Sequence, residues 1–290
     1  MSTPSGDHVP HIADVQRELD AGAEWLRALL AAAGRPRMVL GLSGGIDSAV
    51  AAAWAVRALG PGRVTAVAMP YGLLTAARFA ASATESLEHA RLLAAAAPGL
   101  ELRELDIAPT VDAEAETIGL GGDLAAPADP RYRLAFGNLK ARVRALRLRT
   151  FANLLDALLL GTENKTEHYL GYFTIGGDEE SDVELLGNYL KAEVVQLARA
   201  LGVPAAIVEK APSADLWSGQ TDEAELGFTY ADADHVLHLG ECSTELSAEA
   251  RARCLVREEV AERVLARVRA TEFKRAAKPV FPRDGLSSRS

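Results

Sequence analysis

The apolar positions fall into short runs and helical stripes that follow one another in turn. Strand-length runs occur at 37–42, 63–69, 100–107 and 158–160. Helix-period segments lie at 12–33, 48–59, 85–97, 109–117 and 138–157. Val15, Leu19, Trp25, Leu26 and Leu29 form the expected core face of the first helix. Leu139, Val143, Leu146, Phe151, Leu154 and Leu155 form that of the long one. Gly34 with Pro36, Gly60 with Pro61, and Pro98 with Gly99 stop the first three helices, and Ser82 with Glu85 has capping-box spacing ahead of the third. A strand, a helix and a further strand in this order make a right-handed parallel unit. Its repetition predicts an α/β fold, a doubly wound parallel sheet with helices on both faces.

Residues 119–136 break the pattern with Gly, Pro and Asp, and read as a mobile cover or a local insertion. A helix is expected over 247–270, with Cys254, Val260, Val264 and Val268 toward a core. His235 and His238, three apart on another expected helix, read as surface or helix-lining residues. Residues 1–10 are expected to be disordered and 283–290 to form a loose tail. No repeat or linker divides the rest, so 11–282 is expected to be one domain.

Charge and cysteine usage narrow the function classes. The 290 residues carry 31 Lys and Arg against 40 Asp and Glu, a net charge of −9, which argues against a nucleic-acid surface. Cys242 and Cys254 match no metal spacing and no CxxC, as expected for reduced thiols in the cytoplasm. No apolar run reaches the ~18 residues of a membrane span, and the polar first ten residues carry no secretory signal.

The chemistry concentrates in Ser43-Gly44-Gly45-Ile46-Asp47-Ser48, between the first strand and an Ala-rich helix. Two glycines let several N–H groups point into one concavity, and the helix N-terminus adds positive potential, which together suit a phosphate. A P-loop places Lys before the hydroxyl residue, whereas Asp47 stands there in this chain. A carboxylate beside phosphate calls for a cation between them, so Asp47 suggests Mg²⁺ on pyrophosphate oxygens. The plainer alternative is a tight turn capped by Ser43 or Asp47. The four arginines 142, 144, 147 and 149 on the long helix read as a solvated face, from which one or two can reach phosphate.

SGGIDS after an apolar strand resembles the pyrophosphate loop of the N-type ATP pyrophosphatases, which split ATP between its α and β phosphates to adenylate a substrate. GNLKARVR at 137–144, GTENKTE at 161–167, GYFT at 171–174, KAPSADL at 210–216, GQTDEAELG at 219–227 and FKR at 273–275 narrow the resemblance to the ammonia-dependent NAD synthetases. The match runs over roughly 12–282. It implies an adenine-nucleotide alpha-hydrolase-like fold, a homodimer, and deamido-NAD, ammonia and ATP as substrates, with neither nucleic acid nor membrane as a partner.

By the same resemblance, Gly41, Ser43, Gly44, Gly45, Asp47, Ser48, Thr162, Lys191 and Ser213 hold ATP. Asp47, Glu167 and Ser213 bind Mg²⁺. Arg142, Asp178, Lys274 and Arg275 meet deamido-NAD. Asp178, Asp47 and Lys191 are the catalytic set, with Asp178 holding ammonium and taking its proton. The acidic run 209–227 resembles the family's mobile loop over ATP, with Asp222 and Glu223 as its functional carboxylates. The 36 residues ahead of the first strand leave no room for a glutaminase domain, so ammonium rather than glutamine is the expected nitrogen source. The chain departs from the family pattern at Ile175, Gly176 and Leu185, and Phe273 stands where many members carry His. Those departures keep two alternatives in view: an amide synthetase for another carboxylic acid, and a nucleotide-binding protein without turnover.

Overall fold

The computed structural model describes residues 10–72, 80–120, 130–213 and 221–281; the expectations for 1–9 and 282–290 lie outside the described residues. Helix α1 (Val15–Ala33) starts at Asp14, whose side chain accepts from the Arg17 N–H, and ends at Gly34 with a left-handed φ of 63°. Its buried face is Leu19, Ala23, Leu26 and Leu30. Trp25, expected in that face, is 46% exposed. It lies one residue from Leu26, hence about 100° around the helix.

Strand β1 (Arg37–Gly41) leads into α2 (Ile46–Leu59), β2 (Val64–Ala68), α3 (Ala80–Ala96) and β3 (Leu100–Glu104). Next come α4 (Ala108–Thr117), α5 (Pro130–Leu154), β4 (Ala157–Gly161), α6 (Lys165–Leu170) and β5 (Val183–Glu184). The strands pair in parallel in the order β3-β2-β1-β4-β5, with Met38 opposite both Val64 and Leu158. Alternate residues feed two cores. Met38, Leu40, Val64, Ala66 and Leu160 pack with α1 and α2, while Val39, Val67, Ala157 and Leu159 pack under α4 and α5. Helices on both faces of an all-parallel sheet make the doubly wound arrangement expected from the hydrophobic pattern. The order reverses direction at β1, so the crevice beyond the carboxyl ends of β1 and β4 is the ligand position of such sheets.

The remaining helices are α7 (Lys191–Ala200), α8 (Ala205–Val208), α9 (Asp222–Leu226), α10 (Tyr230–Leu239), α11 (Ala248–Arg253), α12 (Glu258–Ala270) and α13 (Glu272–Arg275). Leu170, Leu190, Val236, Val264 and Leu265 hold α6, α10 and α12 together in a third cluster beside the crevice.

Four expectations need correction. Helix α3 is described from Ala80, so Ser82 lies within it and the expected start at 85 moves toward the N-terminus. Helix α5 is described from Pro130 and absorbs part of the irregular 119–136 stretch; residues 121–129 lie outside the described ones. Leu146 and Leu154 on α5 are 63% and 75% exposed instead of core residues. The expected 247–270 helix is two helices, broken where the Leu255 N–H donates to His235 Nε2 at 3.1 Å. His235 is thus a buried helix-lining residue and His238 an exposed one, as expected. Among the described residues no helix is long and apolar enough to cross a membrane.

Candidate active site

The turn between β1 and α2 is held by its own side chains. Ser48 Oγ donates to the Gly45 carbonyl at 3.0 Å, and the Gly45 and Ser43 N–H groups donate to Ser43 Oγ and Ser48 Oγ, each at 3.2 Å. Gly45 is the N-cap and no side chain caps the helix, so neither Ser43 nor Asp47 fills that role. The first N–H groups of a helix have no intrahelical partner, and here no side chain caps them. Gly44 has φ 81°, and a Cβ there would sit 2.5 Å from the Ser86 carbonyl oxygen. Gly44→Ala is expected to destabilise the protein by roughly 2–4 kcal/mol, combining left-handed strain with a backbone clash. Urea unfolding measures it, and an unchanged midpoint would remove the glycine requirement.

Three charged groups meet beside this turn. Lys191, the first residue of α7, places Nζ 2.5 Å from Asp47 Oδ2 and 2.9 Å from Glu167 Oε1. Asp47 Oδ1 accepts from Asn164 Nδ2 at 2.8 Å, while Asn164 Oδ1 caps α6 by accepting from the Glu167 N–H. Asn164 is therefore the helix cap. Burial and the Asp47 charge push the Glu167 carboxyl up to about 8 against the pull of Lys191. Burial opposes the Lys191 charge, yet the two carboxylates raise it, so the ammonium stays charged.

A cavity of about 720 Å³ runs over these groups. Gly41, Ser43, Gly45, Asp47 and Ser48 line it, joined by Thr162, Glu167, Lys191 and Ser213. Arg142, Asp178 and Lys274 line the same cavity. Two expected site residues are not among its lining. Gly44 lies back against Ser86. Arg275 donates to the carbonyls of Tyr169 and Val268, both at 2.7 Å, which pins α13 to α6 and α12.

Asp178 accepts from the Thr174 N–H at 3.0 Å, and its burial raises the carboxyl above the ordinary carboxylate range. Lys274 Nζ donates to the Gly171 and Phe173 carbonyls at 2.7 and 2.5 Å. Asp222 also lines the cavity and accepts from the Tyr172 and Tyr230 hydroxyls, both at 3.1 Å. Glu223 turns away and accepts from the Tyr230 N–H. The rest of the expected loop, 214–220, lies outside the described residues.

The NAD synthase family matches residues 18–278. The chain belongs to that family. It is 39% identical over 267 residues to the NH(3)-dependent NAD(+) synthetase of Methanosarcina acetivorans, covering 92% of this chain and 98% of that one. It is 45% identical to the corresponding Chlorobium phaeovibrioides protein over 74% of this chain and 71% of the relative. Among solved structures, the NMN synthetase from Francisella tularensis superposes with a TM-score of 0.74 at 30% identity, over 93% of this chain and all of that one, 100%.

In this family member, the four arginines 142, 144, 147 and 149 of α5 divide between the cavity and neighbouring elements. Arg142 and Arg144 line the cavity, and Arg147 and Arg149 tie α5 to Asp106 and to Glu180 with Asp182. Sequence reasoning missed Lys140, which is 2% exposed and lines the cavity with Nζ 4.2 Å from the Tyr71 ring centroid and 4.9 Å from that of Phe136. Burial, reinforced by Arg144, lowers its ammonium to about 7. Its one signal was its place inside GNLKARVR, because a lysine on an amphipathic helix otherwise reads as solvated. Tyr230, whose hydroxyl donates to Asp222 and Glu167, carried no such signal.

Proposed function

We propose that this chain is an ammonia-dependent NAD synthase that amidates deamido-NAD at the expense of ATP. The observation that carries the reading is the Asp47–Lys191–Glu167 set beneath the SGGIDS turn, in a cavity that also holds Asp178. The nicotinate carboxylate attacks the α-phosphorus of ATP, forming a mixed anhydride with AMP and releasing pyrophosphate. Ammonia then attacks the activated carbonyl, and AMP leaves with NAD as the product. The uncapped N–H groups of α2 and the Lys191 ammonium accommodate the charge that builds on the leaving pyrophosphate.

Asp47, Glu167 and Ser213 fit Mg²⁺, since two carboxylates already converge on one cation, the Lys191 ammonium, and all three donors are hard oxygens. Phosphate oxygens and water would have to complete such a shell, as no cluster of three His, Cys, Asp or Glu among the described residues can hold a metal alone. Bound there, Mg²⁺ supplies further neutralisation of the pyrophosphate charge. Asp178 holds ammonium and accepts its proton, a task that its raised carboxyl basicity favours. Arg142 and Lys274 meet the acid substrate.

The test incubates the protein with deamido-NAD, ATP, Mg²⁺ and ammonium, with nicotinate mononucleotide as a parallel acid. Mass spectrometry is expected to find NAD and AMP in equal amounts. The parallel arm matters because of the similarity to an NMN synthetase and because Ile175, Gly176 and Leu185 depart from the family pattern. Pyrophosphate release with another acid, and none with deamido-NAD, would overturn the substrate assignment.

The same reading includes a cytoplasmic setting, which suits an ATP-consuming enzyme with the free thiols Cys242 and Cys254. It also includes a homodimer, supported by Leu146 and Leu154 standing exposed on α5. Leu146→Glu is expected to convert a dimer to a monomer by light scattering. A monomeric wild type would sink that part.

A further inference from the structure

Lys191 is the first residue of α7, and the local capping contact there, Glu193 Oε2 accepting from the Leu190 N–H at 2.7 Å, leaves the Lys191 and Ala192 N–H groups uncovered. The N-cap is Leu190, whose side chain has no acceptor. The first-turn N–H groups have no intrahelical partner and must find one elsewhere. The Lys191 N–H donates to Thr166 Oγ1 at 3.0 Å, and the Ala192 N–H donates to Asp234 Oδ2 at 2.7 Å. Thr166 Oγ1 in turn donates to Asp234 Oδ1 at 2.5 Å. One carboxylate on α10 thus caps α7 both directly and through a hydroxyl on α6. Asp234 and Thr166 are buried, at 1% and 0% exposure.

We propose that Asp234 is a positioning residue for adenylation, acting through the Lys191 ammonium. The cap reaches two of the three charged groups at once. Thr166 immediately precedes Glu167, and Lys191 opens the helix that Asp234 caps. A lysine in the middle of a helix has a turn on either side to hold its backbone. Lys191 has none before it, so the depth of its ammonium between Asp47 and Glu167 follows the position of the helix start. A misplacement of about 1 Å at a reacting site can cost ~100-fold. Burial raises the Asp234 carboxyl to about 6, with the Thr166 hydroxyl and the Ala192 N–H opposing the rise. Its negative charge also suits the positive end of α7.

The inference deepens the proposed function and rests on Lys191 acting on ATP. The test is a double-mutant cycle between Asp234→Asn and Lys191→Ala, read on kcat and, by calorimetry, on ATP affinity, which needs no turnover. Asp234→Asn alone is expected to lower kcat roughly 10–100-fold in folded protein. In the Lys191→Ala background it should change kcat or ATP affinity less than about twofold, because the group through which it acts is gone. A purely structural role predicts the same loss in both backgrounds, and that result, or wild-type kcat in Asp234→Asn, would overturn the inference. If Asp234→Asn does not fold, Thr166→Val replaces it in the cycle, with Thr166→Ser expected to restore activity by keeping the hydroxyl; failure of that rescue also counts against the inference. A wild-type enzyme inactive on deamido-NAD would overturn the proposed function, while the affinity cycle still decides the role of Asp234.

Discussion

Asp47→Asn is expected to lower Mg²⁺-dependent pyrophosphate release about a thousandfold or more while the protein stays folded. A factor of a thousand is about 4 kcal/mol at the transition state. The amide is isosteric, so its oxygen can still accept from Asn164, which now contacts Asp47 Oδ1 at 2.8 Å. What it loses is the charge facing Lys191, and it turns an N–H₂ group toward a cation. A coupled pyrophosphate assay with a circular dichroism control measures the effect. Release at the wild-type rate would remove Asp47 from the phosphate chemistry.

Lys191→Met is expected to damage activity and stability together. The ammonium lies between two carboxylates whose side chains are 16% and 17% exposed, and a half-broken buried ion pair costs about 3–5 kcal/mol. Pyrophosphate release should fall by roughly the same thousandfold, since the ammonium paired with Asp47 is gone. The stability loss should depend on pH in a defined direction. Glu167 titrates near 8 in the fold against an ordinary value of 4.5, so the folded state binds the extra proton. This proton-linked stability is complete below about 4.5 and is lost as pH rises through about 8. Without Lys191 the Glu167 carboxyl rises further. Methionine at 191 should therefore cost least in acid and most above neutrality. Urea unfolding of both proteins across this range is the measurement, and a gap that widens toward acid would contradict the account.

Legibility followed how local each signal was. The SGGIDS turn could be read because glycines and hydroxyls within six residues already specify a tight strand-to-helix turn. The stops at Gly34 and Gly60 were legible for the same reason, as backbone punctuation needs no distant partner. Trp25 and Leu146 were misassigned because a helical period defines a face only to within about one residue, and a long helix has more apolar positions than its neighbours cover. The break between α11 and α12 was invisible because its cause, His235 accepting from Leu255, lies 20 residues away.

The sequence by itself determined the alternation of strands and helices, the glycine turn after β1 and the family, since all three rest on residue order over short spans. Only the tertiary structure decided what those residues do to one another. Asp47 and Lys191 are 144 residues apart, and nothing between them records that an ammonium ends 2.5 Å from that carboxylate. Arg275 matched a substrate string but donates to backbone carbonyls, because α13 packs against α6 and α12 and its guanidinium meets their oxygens first. Lys140 looked like one more helical cation until Tyr71 and Phe136 closed over it. In each case the deciding quantity is the desolvation of a charge, and that depends on which distant segments cover it.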